Sequence, residues 1–154
     1  MLWIRKILLG LLIAFLVIQF IQPPHNVSAK VSSKDITKTL EVPDKILDVL
    51  KNSCYDCHSD NTRYPWYVYV QPMGWVMAKH IRIGKENLNF SQFGTYSERK
   101  QANKLRAIAT STGDGSMPLS SYIIMHTDAK LSMETVNLIA KWALIKNDSI
   151  SLKN

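Results

Sequence analysis

The sequence predicts an all-α fold with one small domain. Apolar residues recur at helical spacing in four segments, and no segment keeps the period-two alternation of a strand for long. The predicted helices begin near Pro43, Pro72, Ser97 and Ser132. An apolar run at the N-terminus predicts one further helix. The nearest approach to a strand pattern is Trp66 to Val70.

The N-terminal apolar run has the features of an export signal or a signal anchor. Arg5 and Lys6 precede it, and it extends from Ile7 to Ile21. Basic residues on this flank favour an N-terminus on the inner side of a membrane and the remainder outside. We predict a retained single-pass anchor over residues 1–22. Cleavage stays open as an alternative, because Val27-Ser28-Ala29 is an acceptable small-residue site.

The first two helices of the domain follow a polar segment. Residues 23–41 are predicted to be a polar tether, and residues 42–146 the folded domain. Pro43 suits the first turn of a helix that runs to about residue 52. This helix has apolar positions at Ile46, Leu47, Val49 and Leu50. The second helix, from Pro72, includes Trp75, Val76, Lys79 and His80.

The last two helices have clearer amphipathic stripes. The third covers about residues 97–110, with an apolar face formed by Ala102, Leu105, Ile108 and Ala109. The fourth begins at Ser132, a favourable N-cap, with Glu134 in its first turn. Its stripe consists of Val136, Ile139, Trp142 and Ala143. Residues 147–154 are predicted to be a C-terminal tail.

The two cysteines of the chain lie in one short motif, Cys54-Tyr55-Asp56-Cys57-His58. This C-x-x-C-H pattern is the attachment motif for c-type haem. The spacing suits thioether bonds from Cys54 and Cys57 to the two haem vinyl groups, and His58 is then placed to ligate the iron. The sequence therefore predicts one covalent haem and a small cytochrome c-like helical domain, in which haem supplies much of the core.

Other interpretations of the cysteine pair fit less well. A thioredoxin-like pair follows a strand, whereas a helical pattern leads into Cys54 here. A structural zinc site needs four ligands, so two histidines would have to come from elsewhere. A disulfide between Cys54 and Cys57 would close a very short, strained loop.

Met117 is the preferred candidate for the distal iron ligand. It lies in a glycine-rich loop, Gly113 to Pro118, whose backbone is able to approach a haem closely. His80 is the main alternative, as a distal ligand, a propionate partner or a surface residue. Core packing is the preferred role for Met73 and Met77, and capping or hydrogen bonding for His126. His25 is expected to have no site role, and the remaining candidates are Met125 and Met133.

Three function classes remain open for a haem with these ligands. The preferred one is an electron-transfer cytochrome rather than an enzyme, because a thioether ligand raises the potential and leaves no open position on the iron. The second is a redox or gas sensor, or a ligand-binding module, in which Met117 is displaceable. The third is a peroxidase-like enzyme, which would need His80 or His126 as a distal acid–base group.

The motif and its surroundings resemble the bacterial haem-binding domain family of membrane-anchored monohaem c-type cytochromes. The resemblance covers about residues 42–145. It rests on residues 52–60, Thr62-Arg63-Tyr64-Pro65-Trp66-Tyr67, Trp75, His80-Ile81, Gly84, residues 88–91, Met117-Pro118-Leu119, Tyr122, His126 and residues 129–132. It implies a haem domain outside the cytoplasm. With the anchor, this places the domain on the periplasmic side of the bacterial cytoplasmic membrane.

Three residues after the motif are predicted to form part of the haem environment. Tyr64 and Trp66 offer aromatic faces and hydrogen-bond donors, and Arg63 is a possible propionate partner by charge. Ordinary core packing is an equally good account of each aromatic residue taken singly. Without Arg5 and Lys6 the chain has 17 basic and 12 acidic residues, a formal charge of +5. This charge fits an acidic redox partner protein, anionic lipid headgroups or simple solubility, and no nucleic-acid motif is present.

Overall fold

The computed structural model describes residues 2–28 and 30–152 of the chain. It confirms the predicted all-α class: within these ranges the regular elements are helices, and pairing of strand type is limited to a single bridge between Val27 and Asn61. The helices are α1 (Leu2–Ile18), α2 (Ile36–Thr39), α3 (Asp44–Ser53), α4 (Tyr55–His58), α5 (Met73–Asn87), α6 (Glu98–Gly113), α7 (Ser120–Met125) and α8 (Met133–Ser151). Short 3₁₀ turns cover Trp66–Tyr69, Phe90–Thr95 and Thr127–Ala129.

The four predicted domain helices are present as α3, α5, α6 and α8. The hydroxyl of Ser97 caps α6 by accepting from the amide of Lys100, and Ser132 caps α8 by accepting from Thr135. The possible strand at residues 66–70 is instead a 3₁₀ turn. It starts directly after Pro65, which has no amide hydrogen to give to a strand ladder.

The main core lies between α6 and α8 and extends to α3. Leu105, Ile139 and Leu50, one from each of these helices, are 0 % exposed. Tyr55 and Phe90 stack at the edge of this core, with ring centroids 5.1 Å apart. The core therefore supports the end of α3, where the cysteine motif begins.

The N-terminal helix α1 covers 17 residues, and none of its described side chains is buried. Over residues 2–28 and 30–152, no helix combines the length and the apolar character needed to span a membrane. Ala29, after which the alternative cleavage was predicted, lies outside the described residues.

Part of the segment predicted to be a tether is packed into the domain. Asp35 and Ile36 are 4 % and 0 % exposed, and Asp35 caps α2 by accepting from the Thr37 amide. The Gly94 amide donates to the carbonyl of Lys34 at 2.8 Å. Residues 34–40 thus belong to the domain, because one buried isoleucine within this polar stretch is enough to anchor it.

The predicted C-terminal tail also differs from the structure, since α8 continues through Ser151. Asn147 is 2 % exposed, and its side-chain amide donates to the Ala102 carbonyl at 2.7 Å. Ile150 is buried against the same core. The polar residue Asn147 led to the prediction of a tail, but its side-chain amide has a hydrogen-bond partner inside the protein. Residues 153 and 154 lie outside the described part of the chain.

Gly84 allows α5 to pack closely against α4. A Cβ atom at this position would collide with the carbonyl oxygen of Cys57. We expect Gly84→Ala to lower the free energy of unfolding by about 1–3 kcal/mol, since backbone would have to move. Urea unfolding followed by circular dichroism measures this, with Gly113→Ala as the matched helical control, because a Cβ atom at Gly113 would meet nothing within 4 Å. Equal stability of the two variants would contradict the close-packing account.

Candidate functional site

The cysteine motif forms the junction between α3 and α4. Cys54 lies between the two helices, and the single turn of α4 closes with the His58 amide donating to the Cys54 carbonyl at 3.0 Å. This turn carries Cys57 and His58 on one short rigid unit. Burial, with Cys57 as the second cause, raises the pKa of Cys54 to about 12. Burial and then Asp56 raise the pKa of Cys57 to about 11, so both groups stay thiols at neutral pH.

His58 is oriented by the loop that follows α5. Its Nδ1 lies 3.0 Å from the carbonyl oxygen of Leu88. A carbonyl only accepts, so Nδ1 carries the hydrogen and Nε2 carries the lone pair. Burial lowers the pKa of His58, and Lys104 adds to this, while the carbonyls of Leu88 and Gly84 act in the opposite direction. The result is a neutral imidazole with a fixed tautomer, the form that binds a metal ion.

A cleft lies beside the motif and consists of two adjacent cavities. One of about 230 Å³ lies between the motif and α6, and one of about 200 Å³ lies between the motif and α5. Both are lined by His58 and Met117, together with Ser53, Asn87 and Pro118. Cys54 lines the first cavity and Cys57 the second. Hence the structure brings the predicted proximal and distal residues to the same cleft, 59 positions apart in the sequence.

Met117 is held at the cleft by the end of α6. Its amide donates to the carbonyl of Ser111 at 2.9 Å, and the Ser116 hydroxyl donates to the same carbonyl at 3.2 Å. The chain reverses at Gly115, whose φ of +74° favours glycine. The glycine in this loop is therefore needed to turn Met117 back towards the motif.

His80 also reaches the cleft, where it lines the second cavity with Met117. Both distal candidates consequently remain in place. The other candidates have different surroundings. Met77 is buried in a small cluster with Val68 and Ile81, and Met73, Met125 and Met133 are exposed. His126 stacks on Tyr122, 4.1 Å between centroids, and its Nε2 lies 3.3 Å from the Tyr67 hydroxyl.

The three residues predicted to form part of the haem environment, Arg63, Tyr64 and Trp66, line neither of the two cavities of the cleft. Arg63 donates to the Asp56 carboxylate and to the carbonyls of Lys51 and Asn52. The Tyr64 ring packs against His25 at a tilt of 36°, and its hydroxyl accepts from the Asn26 amide. Trp66 is 78 % exposed. The contacts of these three side chains are thus with protein groups outside the cleft lining, and their role towards haem stays a prediction.

Lys104 is the cleft residue that the sequence analysis missed. It lies on α6, lines the first cavity and lowers the pKa of His58. Its position on the polar side of the amphipathic helix gave no sign of a site. Ser111 and Thr112 follow two turns later on the same wall. A cation and hydroxyl groups beside an apolar cleft form a suitable environment for carboxylate groups.

Comparison with protein families matches residues 13–144 to a family described as "Haem-binding domain". The chain belongs to the haem-binding domain family. Searches of curated proteins and of solved structures each give no match. The match covers most of the chain and agrees with the resemblance carried by the motif. Haem is therefore the cofactor of this domain.

The donor set of the cleft fits haem. The thiol of Cys54 lines one cavity and the thiol of Cys57 the other, while the His58 imidazole and the Met117 thioether line both. Apolar side chains of Leu88, Phe90, Ile108 and Pro118 line the rest. Such surroundings suit a flat, largely apolar macrocycle that carries charged propionates at its edge.

Proposed function

We propose that this haem-binding domain is a monohaem c-type cytochrome that transfers electrons. Cys54 and Cys57 attach one haem c, His58 ligates the iron on the proximal side, and Met117 ligates it on the distal side. The observation that carries the proposal is the pair formed by His58 and Met117 in the lining of one cleft, with His58 fixed by the Leu88 carbonyl.

The residues of this chain determine what the haem does. When bound, haem supplies a reversible one-electron couple at its iron. The hydrogen bond from His58 Nδ1 to Leu88 leaves the Nε2 lone pair available to an iron ion and would raise the basicity of Nε2. The Met117 thioether is a soft ligand that favours the reduced state. Two protein ligands leave no position for a substrate, which supports an electron carrier rather than an enzyme.

The location proposed for this reaction is the outer face of a bacterial cytoplasmic membrane. The basic flank and apolar run of residues 1–22 support an anchor, and covalent haem attachment agrees with the periplasmic side. Its electrons would pass to or from another protein. The net charge of +7 is compatible with an acidic redox partner.

The test uses the full chain produced with the haem attachment machinery. We expect the haem to remain with the polypeptide after denaturation in acidified organic solvent, a low-spin six-coordinate spectrum in both oxidation states, and a reversible one-electron titration. Haem that is extracted by this treatment would refute the c-type assignment and leave the family assignment intact. Irreversible redox behaviour would refute electron transfer.

A haem-based sensor or ligand-binding module is the second candidate, with Met117 displaceable. The observation that favours it is His80 on the same cavity as Met117, since a second donor allows ligand exchange. Carbon monoxide binding to the reduced protein at neutral pH supports this candidate. Steady turnover of peroxide would instead support a peroxidase-like enzyme, for which His80 or His126 would have to serve as the acid–base group.

We predict that Lys104 interacts with a haem propionate and raises the reduction potential. Its cation disfavours the additional positive charge of ferric haem, so Lys104→Ala should lower the potential by on the order of tens of millivolts. Spectroelectrochemical titration measures this shift. Arg106→Ala is the matched control, because Arg106 lies on the same helix but lines a different cavity. A potential that changes equally in both variants would refute a specific role for Lys104.

A further inference from the structure

Asp56 occupies the second variable position of the C-x-x-C-H motif, and it lines the cavity between the motif and α5. Its side chain is buried, and both carboxylate oxygens are engaged. One oxygen accepts from the Arg63 amide at 3.0 Å and from Arg63 Nε at 3.2 Å. The other accepts from Arg63 Nη2 at 3.1 Å and from the Tyr122 hydroxyl at 2.7 Å. A buried carboxylate needs such partners, because its desolvation is costly otherwise.

Tyr122 connects this carboxylate to the segment that carries Met117. It lies on α7, which begins at Ser120, two residues after Pro118. The other side chains of α7 are exposed or half-buried, so the Tyr122 hydroxyl gives this short helix a specific attachment to the motif. Burial, followed by the contact with Asp56, raises the pKa of Tyr122, which keeps the phenol a hydrogen-bond donor.

Met117 therefore lies between two attachment points. On its N-terminal side, its own amide is bonded to Ser111 at the end of α6. On its C-terminal side, the Tyr122 hydroxyl donates to Asp56, which belongs to the cysteine motif. Tyr122 also lines the same cavity as Met117 and His58. A loop fixed at both ends keeps a weak thioether ligand in place, because detachment would require one end to move.

We propose that Tyr122 and Asp56 form a positioning pair that holds the Met117 segment over the haem and limits displacement of Met117 by external ligands. This inference rests on the proposed His–Met ligation. It gives Asp56 a second role besides its pairing with Arg63. Breaking the Tyr122 bond leaves three bonds from Arg63 to the carboxylate, so its charge stays compensated. The effect falls on the distal loop rather than on the folding of the motif.

The test is Tyr122→Phe in the haem-loaded full chain, which removes one oxygen and keeps the ring stacked on His126. A hydrogen bond to a charged group is strong enough that its loss should raise the population of the detached loop about tenfold. We expect a similar increase in the carbon monoxide affinity of the reduced protein, and a weaker methionine–iron charge-transfer band in the oxidised protein. Tyr64→Phe is the matched control, since its hydroxyl makes an equally short bond of 2.7 Å away from this loop.

The outcomes separate the two proposals. Carbon monoxide binding that is unchanged in Tyr122→Phe, while Met117→Ala binds it readily, would overturn the positioning pair and leave His–Met ligation standing. An equal rise in Tyr122→Phe and Tyr64→Phe would also overturn it, as a sign of general loosening. If Met117→Ala keeps the wild-type spectrum, the distal ligand is not Met117, and both proposals fail.

Discussion

Replacing Cys54 and Cys57 together by serine is expected to abolish covalent haem attachment. A thioether forms only from a thiol, and the motif contains the two cysteines of the chain. The haem of the double variant should be fully removed by acidified organic solvent, whereas wild-type haem stays on the polypeptide. Haem staining of denatured protein and absorbance of the extract measure the two fractions. Loss of haem should also lower thermal stability, because the cleft then lacks its apolar filling.

The single variants provide the internal control for this experiment. Cys54→Ser and Cys57→Ser should each retain one thioether, so denatured protein still carries haem at reduced yield. Ser53→Ala, at a neighbouring position that also lines the cleft, should attach haem as wild type does. Haem that resists extraction from the double variant would refute attachment through these cysteines.

Met117→Ala is expected to open the distal position of the iron. The methionine–iron charge-transfer band of the oxidised protein should disappear, and the reduced protein should bind carbon monoxide. Loss of the soft thioether ligand should lower the reduction potential by on the order of 0.1 V, since axial ligands are the main determinant of haem potential. Absorption spectra and a potentiometric titration measure these changes.

Two further variants make this result specific. Met133→Ala removes a methionine that is 72 % exposed on α8 and should leave the spectrum unchanged. His80→Ala tests the other donor in the cleft. If the spectrum changes in His80→Ala and not in Met117→Ala, the distal ligand is the histidine, and the His–Met proposal is wrong.

The helices of the domain could be predicted from the sequence because their signals are local. Serine caps at Ser97 and Ser132 and the apolar stripes of α6 and α8 specify helix starts and buried faces without reference to the rest of the chain. The cysteine motif is equally local, since one turn of α4 holds Cys57 and His58. These features predicted the helical class and the haem-binding family correctly.

The differences between prediction and structure concern residues whose environment depends on distant parts of the chain. Arg63 was predicted to be a propionate partner by charge, and in the structure it pairs with the buried Asp56. The segment around Ile36 was expected to be a tether, but it packs beneath the Phe90–Thr95 turn, where Gly94 bonds to Lys34. In both cases the sequence shows the property of the side chain itself, a charge at Arg63 and an apolar group at Ile36. The partner that satisfied the charge or covered the apolar side chain lay elsewhere in the sequence.

The sequence by itself determined that this protein is helical and carries a haem attachment motif, because helix caps, amphipathic periods and C-x-x-C-H are encoded within a few residues. The tertiary structure decided which side chains surround that motif. Lys104 lines the cleft from a position 46 residues after His58, and Tyr122 bonds to Asp56 from a position 66 residues further along the chain. Such contacts arise from the packing of α5, α6 and α7 around α4, and no local pattern specifies which distant residue will face a given side chain.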